Sequence, residues 1–339
     1  MKGLFNLVRF LLIICLFTGC RKDLCYDHED HAFSVKVYAE PMWKLEWEYP
    51  YAHNWQEKWP FGLDYTYDEL RPEIPEGVVA KVRGKNNYMA ETNFMVSGGK
   101  LPLLEGEHSI LMYNNDTEYI IFDGFDSHKG MTATTRTLSR ASYKPQDSQE
   151  RTINTPDMLY GYYVENYDAS PSYEKIKLPV FMEPLVFTYV VKITISKGRK
   201  YVVLARGALT GMAEKIYIHD GHTDDSKATV LFDCKLTDYG AVAYVKTFGL
   251  PDYPENFPED GNMIAPFWGH KLNFEMKLKN GKLKSVDIDI SNQIKNQPRG
   301  GVIIVSGIEI SDEEGEVEGG FDVNVDGWGE AVDIPVELD

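Results

Sequence analysis

The spacing of apolar residues constrains the fold of this chain most, because it has the two-residue period of β-strands. Between residues 271 and 290 the apolar side chains occupy alternate positions: Leu272, Phe274, Met276, Leu278, then Val286, Ile288 and Ile290. The dipeptide Asn280-Gly281 separates the two runs and is a strong signal for a tight hairpin turn. Each predicted strand has one dry and one wet face, as in the sheets of a β-sandwich.

Similar short runs recur along the chain, and no long window has a helical period. They span 33–39, 78–83, 109–113, 118–122, 159–164, 176–180, 186–195 and 321–326. Asn114-Asn115-Asp116 predicts a hairpin-like connection between the third and fourth runs. Residues 301–305 are apolar throughout, which predicts a central strand buried on both faces. The chain is therefore predicted to be all-β and built from β-sandwiches.

The 339 residues are enough for two domains, with one large domain as the alternative. We place the boundary near residue 180, because the long strand from Val186 is best read as the start of a new sheet. The predicted division is an N-terminal sandwich over 32–180 and a C-terminal sandwich over 181–339. The polar stretches 140–157 and 165–175 are alternative positions for the linker.

Residues 1–19 differ from the rest and predict a removable signal peptide. Lys2 and Arg9 precede the apolar run 10–17, which is too short to span a membrane. The segment ends Leu16-Phe17-Thr18-Gly19-Cys20, which resembles the lipobox of bacterial lipoproteins, although Phe17 stands where Leu is commonest. That resemblance implies that Cys20 is lipidated. The alternative is a simple signal peptide followed by an unmodified cysteine.

Acyl chains such as palmitate on Cys20 would anchor the protein stably, at about 0.8 kcal/mol per buried methylene. The charged stretch 20–31 is predicted to be a tether, and its acidic residues loosely resemble signals that export lipoproteins to the outer face of the outer membrane. A solvated tether without export meaning is the other possibility. The 320 residues after the signal carry 33 basic and 52 acidic side chains, a formal charge of −19, which argues against a nucleic-acid partner.

Several segments in order resemble one family, the fimbrillin-like lipoproteins of Bacteroidetes, and in particular its subgroup DUF5119. They are residues 75–77, 103–116 with the strand running into Asn114-Asn115-Asp116, 190–195, 206–213 and 320–328. The resemblance covers about residues 26–335. It implies two tandem transthyretin-like (Greek-key) β-sandwiches at the cell surface, acting in type V pili as a subunit, anchor or tip adhesin.

Subunits of that family join by strand exchange, in which a strand of one chain completes the sheet of the next, so other pilus or surface proteins are the expected partners. The candidate donor is Gly320–Leu338, with two alternating sets of apolar residues: Phe321, Val323 and Val325, then Val332, Ile334 and Val336. Closure of its own domain by this stretch is the competing interpretation. Arg136, Arg140 and Arg151 do not lie near the N-terminus, where stem subunits are processed, which favours an anchor, tip or stand-alone protein.

Motifs for catalysis are absent from the sequence, so we predict neither an enzyme nor a cofactor. Two histidine-containing stretches are candidate metal sites, His28-Glu29-Asp30-His31 in the tether and His219–Asp225. In the second, Asp220, Asp224 and Asp225 offer oxygens for a hard cation, but an exposed turn explains the same residues and no metal is predicted. Cys25 and Cys234 could pair, although two independent thiols are favoured.

The aromatic-rich segment 42–67 supports an alternative function. It holds four of the six tryptophans, Trp43, Trp47, Trp55 and Trp59. Exposed rings of this kind could stack on sugars, which would make the chain a surface glycan-binding lipoprotein. Packing of the same rings against the first sandwich is the structural alternative.

Overall fold

We analysed a computed structural model, which describes residues 32–45, 59, 63, 65–145, 150–257 and 269–316, together with the backbone of 332–334. In these ranges, no helix has the length and apolar character needed to cross a membrane. The predicted signal segment 1–19 and the tether 20–31 lie outside them.

The described ranges are dominated by β-strands, as the alternating pattern predicted. In chain order the strands are β1 (Val37–Trp43), β2 (Gly77–Gly84), β3 (Met89–Met95), β4 (Gly99–Lys100), β5 (Gly106–Asn114), β6 (Ile120–Asp123), β7 (Thr132–Thr135), β8 (Thr137–Ser139), β9 (Arg151–Ile153) and β10 (Tyr160–Ala169). They continue as β11 (Ile176–Pro184), β12 (Phe187–Lys197), β13 (Val202–Ala213), β14 (Ile216–Tyr217), β15 (Lys227–Thr237), β16 (Gly240–Thr247), β17 (Lys271–Leu278), β18 (Leu283–Asp289), β19 (Gly301–Glu309) and β20 (Val332–Ile334).

Helical structure in the described residues is limited to short turns. These are α1 (Ser291–Ile294), α2 (Asp312–Gly315) and the 3₁₀ turns Asp68–Leu70 and Arg199–Tyr201. A capping box starts α2: the Ser311 hydroxyl accepts from the Glu314 N–H at 3.2 Å, and the Glu314 carboxylate accepts from the Ser311 N–H at 2.9 Å. The predicted all-β class is confirmed.

The first sheet contains strands from the N-terminal half, in the order β3-β2-β5-β10-β11-β1-β4. β1 and β11, the first and last long strands of this sheet in chain order, are neighbours and run parallel, from Val37 opposite Ile176 to Trp43 opposite Met182. Alternate side chains from strands across the sheet meet in one core, which includes Val37, Ala80, Ile110, Met112, Tyr160 and Val180.

The second sheet repeats this arrangement in the C-terminal half, in the order β18-β17-β13-β15-β16-β12-β19. β12 and β19, the first and last long strands of this sheet in chain order, are again neighbours and run parallel. Its core includes Tyr189, Val191, Ile193, Leu209, Val230, Phe274, Met276 and Ile303. The chain passes from one sheet to the other between Pro184 and Phe187. The boundary near residue 180 remains a prediction.

Residues between β5 and β10 connect the two sheets. β6 and β7 form a small sheet with β14, while β9 adds in parallel to β15 and carries β8 on its other edge. Side chains of this small sheet pack with residues of β5 in a third apolar core, which includes Leu111, Tyr113, Met131, Ala133, Leu185, Ile216 and Ile218. No sequence pattern predicts this connection, because pairing between distant strands leaves no local signal.

Two local predictions were wrong. Residues 109–113 and 118–122 do not form a hairpin, because β5 pairs with β2 and β10 whereas β6 pairs with β7. Residues 301–305 do not form a central strand, because β19 lies at the edge of its sheet and Ile304 is 47% exposed. It is β5 that is buried on both faces, Ile110 and Met112 in the first core and Leu111 and Tyr113 in the third. The β17–β18 hairpin around Asn280-Gly281 is confirmed.

Candidate functional site

The C-terminal segment is the predicted site of strand exchange, and the structure describes its backbone at Val332–Ile334. This short strand, β20, pairs antiparallel with β8, with Val332 opposite Ser139 and Ile334 opposite Thr137. Pairing therefore takes place within the chain over three residues. The other candidate donor residues, Phe321, Val323, Val325 and Val336, lie outside the described ranges.

The strand that receives β20 is held by side chains as well as by backbone pairing. β8 pairs with β9 only at Thr137 opposite Ile153. Two further hydrogen bonds support it: the Thr152 hydroxyl donates to the Leu138 carbonyl at 2.6 Å, and the Arg151 guanidinium donates to the Thr137 hydroxyl at 2.7 Å. Arg151 in turn forms an ion pair with Glu214. The acceptor strand is thus fixed independently of β20.

A cleft of about 960 Å³ opens beside β8, and its lining includes Leu138, Arg140, Arg206, Phe232 and Tyr244. Arg206 forms an ion pair with Glu275, which is 3% exposed, and its Nε donates to the Glu275 carboxylate at 2.5 Å. The Arg140 guanidinium donates to the carbonyls of Gly207 at 3.0 Å and Phe232 at 3.3 Å. Burial, with Arg206 nearby, lowers the pKa of Arg140 to about 10, so it stays charged at neutral pH.

The free edge of β19 is closed by two glutamine side chains. Gln293 accepts from the Ile304 N–H at 2.8 Å and donates to the Ile304 carbonyl at 2.9 Å. Gln297 contacts both backbone groups of Val302 in the same way. Each amide thus occupies the hydrogen-bonding position of a neighbouring strand. Exposed edges template pairing with other chains, and the first part of this edge, at Val302 and Ile304, is blocked against it.

Within the described ranges, the outer edges of β3 and β18 pair with no strand. Met89 and Met95 at the two ends of β3 are 65% and 66% exposed. Neither edge was singled out from the sequence, because the alternating pattern of a strand does not tell whether it lies at an edge.

The aromatic segment contributes two described tryptophans, and both pack against the protein. Trp43 is half-buried and meets Tyr160 edge-on, with ring centroids 5.1 Å apart. Trp59 lies edge-on to Tyr67 at 5.8 Å and packs with it over Val190 and Val302. The remaining two candidate stacking residues, Trp47 and Trp55, lie outside the described ranges. Sugar stacking by this segment remains a prediction.

The stretch His219–Asp225 forms a turn, but its carboxylates do not converge. Asp224 binds Lys215 at 2.9 Å and accepts from the Ser226 N–H at 3.0 Å. Instead, His219, Asp220 and His222 come together, with one possible ligand atom from each lying within 4.8 Å of the others. The sequence placed these histidines three apart but could not show that both rings face one carboxylate.

The predicted lipidation site, Cys20, and Cys25 lie outside the described ranges. Cys234 on β15 is half-buried and forms no disulfide with another described residue. Burial raises the pKa of this thiol. That Cys25 and Cys234 are independent thiols, and not a disulfide, therefore remains a prediction.

Comparisons with known proteins agree with the resemblance found in the sequence. The model of a family described as "Domain of unknown function (DUF5119)" matches residues 78–233. A protein named as a candidate fimbrium anchoring subunit, Fim4B of Bacteroides ovatus, is 24% identical over 238 residues. The alignment spans 69% of this chain and 62% of that relative, less than two thirds of its length.

One solved structure shares the fold at a TM-score above 0.5, and a second is more distantly similar. A candidate adhesin from Bacteroides ovatus matches with a TM-score of 0.55 at 19% identity, over 86% of this chain and 98% of that one. The fimbrial anchor protein Mfa2 from Porphyromonas gingivalis has a TM-score of 0.42 at 11% identity, over 80% of this chain and 90% of that one. The chain therefore resembles the fimbrillin-like proteins of Bacteroidetes, as its sequence indicated, and its residues 78–233 match the model of the DUF5119 family.

Proposed function

We propose that this protein is a cell-surface subunit of a fimbrium, an anchor, tip or accessory adhesin, which acts through protein–protein contacts and not through catalysis. The similarity to a protein named as a fimbrium anchoring subunit supports this role. So does the fold shared with a candidate adhesin.

The observation that carries the proposal is the short pairing of β20 with β8. Three residue pairs are few for a strand, and short edge pairings open at low free-energy cost. β8 remains anchored by Arg151 and Thr152 when β20 leaves. In our proposal the segment 320–338 detaches and completes the sheet of a neighbouring subunit, where main-chain hydrogen bonds supply affinity.

Lipidation of Cys20 would tether the protein to the outer membrane and place the two sandwiches outside the cell. An anchoring subunit needs such an attachment, because the filament must resist being pulled from the surface. The excess of acidic over basic residues argues against binding to nucleic acid, and the proposed role at the cell surface requires no such partner.

The proposal is tested by deleting residues 320–339 in the organism that makes the protein. The truncated protein should still reach the surface, where externally added protease cleaves it on intact cells, but it should no longer co-purify with filaments. Its circular dichroism spectrum should match that of the full chain, which separates lost assembly from lost folding. Normal incorporation of the folded, truncated protein into filaments would contradict strand donation.

A Cys20→Ser variant tests the anchor separately. It should be released from the membrane fraction while keeping its fold. If it stayed with the membrane fraction in full amount, lipid anchoring through Cys20 would be wrong.

A further inference from the structure

The turn after β14 places two imidazoles on either side of one carboxylate. Asp220 Oδ1 lies 2.6 Å from His222 Nδ1, and Asp220 Oδ2 lies 3.0 Å from His219 Nε2. All three groups present a ligand atom within 4.8 Å of the others. When three atoms bind one ion through bonds of about 2.0–2.2 Å, the atoms lie a few ångströms from one another. The three atoms here have separations of that order, so small movements of the side chains would complete a site.

The backbone holds these three residues in place before any ligand arrives. The Tyr217 N–H donates to the His222 carbonyl at 2.9 Å, and the Gly221 N–H donates to the Tyr217 carbonyl at 2.8 Å. Gly221 has a φ of 72°, a left-handed conformation that favours glycine. The Arg299 guanidinium, buried between the rings of Phe187 and Tyr253, donates to the Gly221 carbonyl. A ligand therefore does not have to order the turn on binding.

Aromatic rings fix the two imidazoles. His222 stacks on Tyr217 with centroids 3.9 Å apart and planes at 11°. His219 meets Tyr163 of β10 edge-on at 5.6 Å. The His219 side chain is 13% exposed and the ring is held against its neighbours. The Asp220 side chain is 49% exposed, which leaves the carboxylate side of the cluster open to solvent.

We propose that His219, Asp220 and His222 bind a divalent transition-metal ion of the zinc type. The ligands would be His219 Nε2, His222 Nδ1 and the Asp220 carboxylate, and binding would replace the two contacts between the imidazoles and the carboxylate. Three protein ligands leave at least one position for water.

The donor set selects against calcium. Calcium takes oxygen ligands, whereas imidazole nitrogen suits zinc, copper and nickel. The second carboxylate of the turn, Asp224, is already held by Lys215 and Ser226. This inference departs from the sequence-based expectation of an ordinary turn without a metal, and it does not depend on the proposed role in a fimbrium.

Zinc binding is measured by isothermal titration calorimetry of ZnCl₂ into purified, untagged protein that has been treated with a chelator. We expect one ion per chain at this site. Asp220→Asn and His222→Gln should each weaken its affinity at least tenfold, and calcium at the same concentrations should neither bind there nor compete. Asp225→Asn, which changes a carboxylate of the same turn outside the cluster, should leave the affinity unchanged.

The tether offers a matched control, because His28 and His31 have the same spacing as His219 and His222. The double variant His28→Ala/His31→Ala should keep the full affinity. Zinc binding that disappears in this double variant, or that survives both Asp220→Asn and His222→Gln, would overturn the proposal.

A second readout separates ligation from folding. With Cu²⁺ in place of Zn²⁺, the electron paramagnetic resonance spectrum should show coupling to two imidazole nitrogens, and His222→Gln should reduce this to one. The metal-free variants should melt within a few degrees of the wild type, since His222 and Asp220 are partly exposed. A copper spectrum that His222→Gln leaves unchanged would also contradict the site.

Discussion

Gln297 takes the place of a β-strand beside Val302. Its Oε1 accepts from the Val302 N–H at 2.5 Å, and its Nε2 donates to the Val302 carbonyl at 3.0 Å. Gln293, one helical turn earlier, does the same for Ile304. The short helix α1 and the turn that follows it thereby satisfy the outward-facing backbone groups of Val302 and Ile304 on an edge strand.

We expect Gln297→Ala to lower the free energy of unfolding by about 1–3 kcal/mol, because Gln297 is buried and its loss leaves the backbone groups of Val302 without partners. The double variant with Gln293→Ala should also associate through β19. Urea denaturation measures the first effect and light scattering after gel filtration the second. The control is Asn292→Ala, an exposed change on the same helix, which should alter neither. A double variant that is as stable and as monomeric as the wild type would show that the edge is not protected in this way.

The ion pair between Arg206 and Glu275 should be sensitive to the loss of one partner. The two side chains are 13% and 3% exposed, so Glu275→Ala leaves an uncompensated charge in the protein and should cost about 3–5 kcal/mol. The exposed pair Lys81–Glu91 provides the comparison, since Glu91→Ala should cost about 1 kcal/mol or less. Chemical denaturation of both variants checks the difference. Equal costs for the two changes would mean that burial does not govern the strength of these pairs.

Stability should fall in mild acid because of buried histidines. Burial lowers the pKa of His270 to about 4, whereas an unfolded histidine titrates near 6.5. Between these values the unfolded chain binds more protons than the folded chain, so the free energy of unfolding decreases as the pH falls from 6.5 to 4. The loss through His270 is roughly 3 kcal/mol over the window, and His128, whose pKa is lowered to about 4 by burial, adds to it.

Urea titrations between pH 7.5 and 4.5 measure this slope. His270→Gln keeps a polar side chain at the position and should flatten the curve without removing it, because His128 still titrates. An identical slope in the wild type and in His270→Gln would rule out His270 as the source.

Cys234 should react slowly with thiol reagents in the folded protein. Burial raises the pKa of its thiol, so little of the reactive thiolate is present at pH 8. We expect a rate at least tenfold lower than in 6 M guanidinium chloride, measured by the absorbance of released thionitrobenzoate. Absence of a reactive Cys234 in the denatured, unreduced protein would instead indicate a disulfide.

Local patterns predicted the strands but not the neighbours of each strand. The alternation of Leu272, Phe274 and Met276 and the turn at Asn280-Gly281 correctly predicted the β17–β18 hairpin. The prediction of a central strand at 301–305 is wrong because Val302 is covered by aromatic residues from the distant segment 59–70, which gives an edge strand the composition of a central one. No local feature reveals such a cover.

For the candidate sites, too, the sequence shows which residues are present but not which of them come together. The histidine turn was visible as a dense polar stretch, yet only the folded turn shows that His219 and His222 share Asp220. Glu275 occupies a position that the alternation assigns to the wet face. It is nevertheless buried, because Arg206 on the neighbouring strand forms an ion pair with it. Interactions between side chains far apart in the sequence could not be predicted from either residue alone.

The parallel pairing of the first and last long strands in each sheet has a mechanical consequence. In β1–β11 and in β12–β19, the start of one strand and the end of the other lie at opposite ends of the pair. A force pulling these ends apart acts along the strands and shears many hydrogen bonds at once, instead of unzipping them singly. If the chain is tethered through Cys20 and loaded through its C-terminal segment, as proposed above, the pull acts along both pairs, and shearing resists extension better than unzipping would.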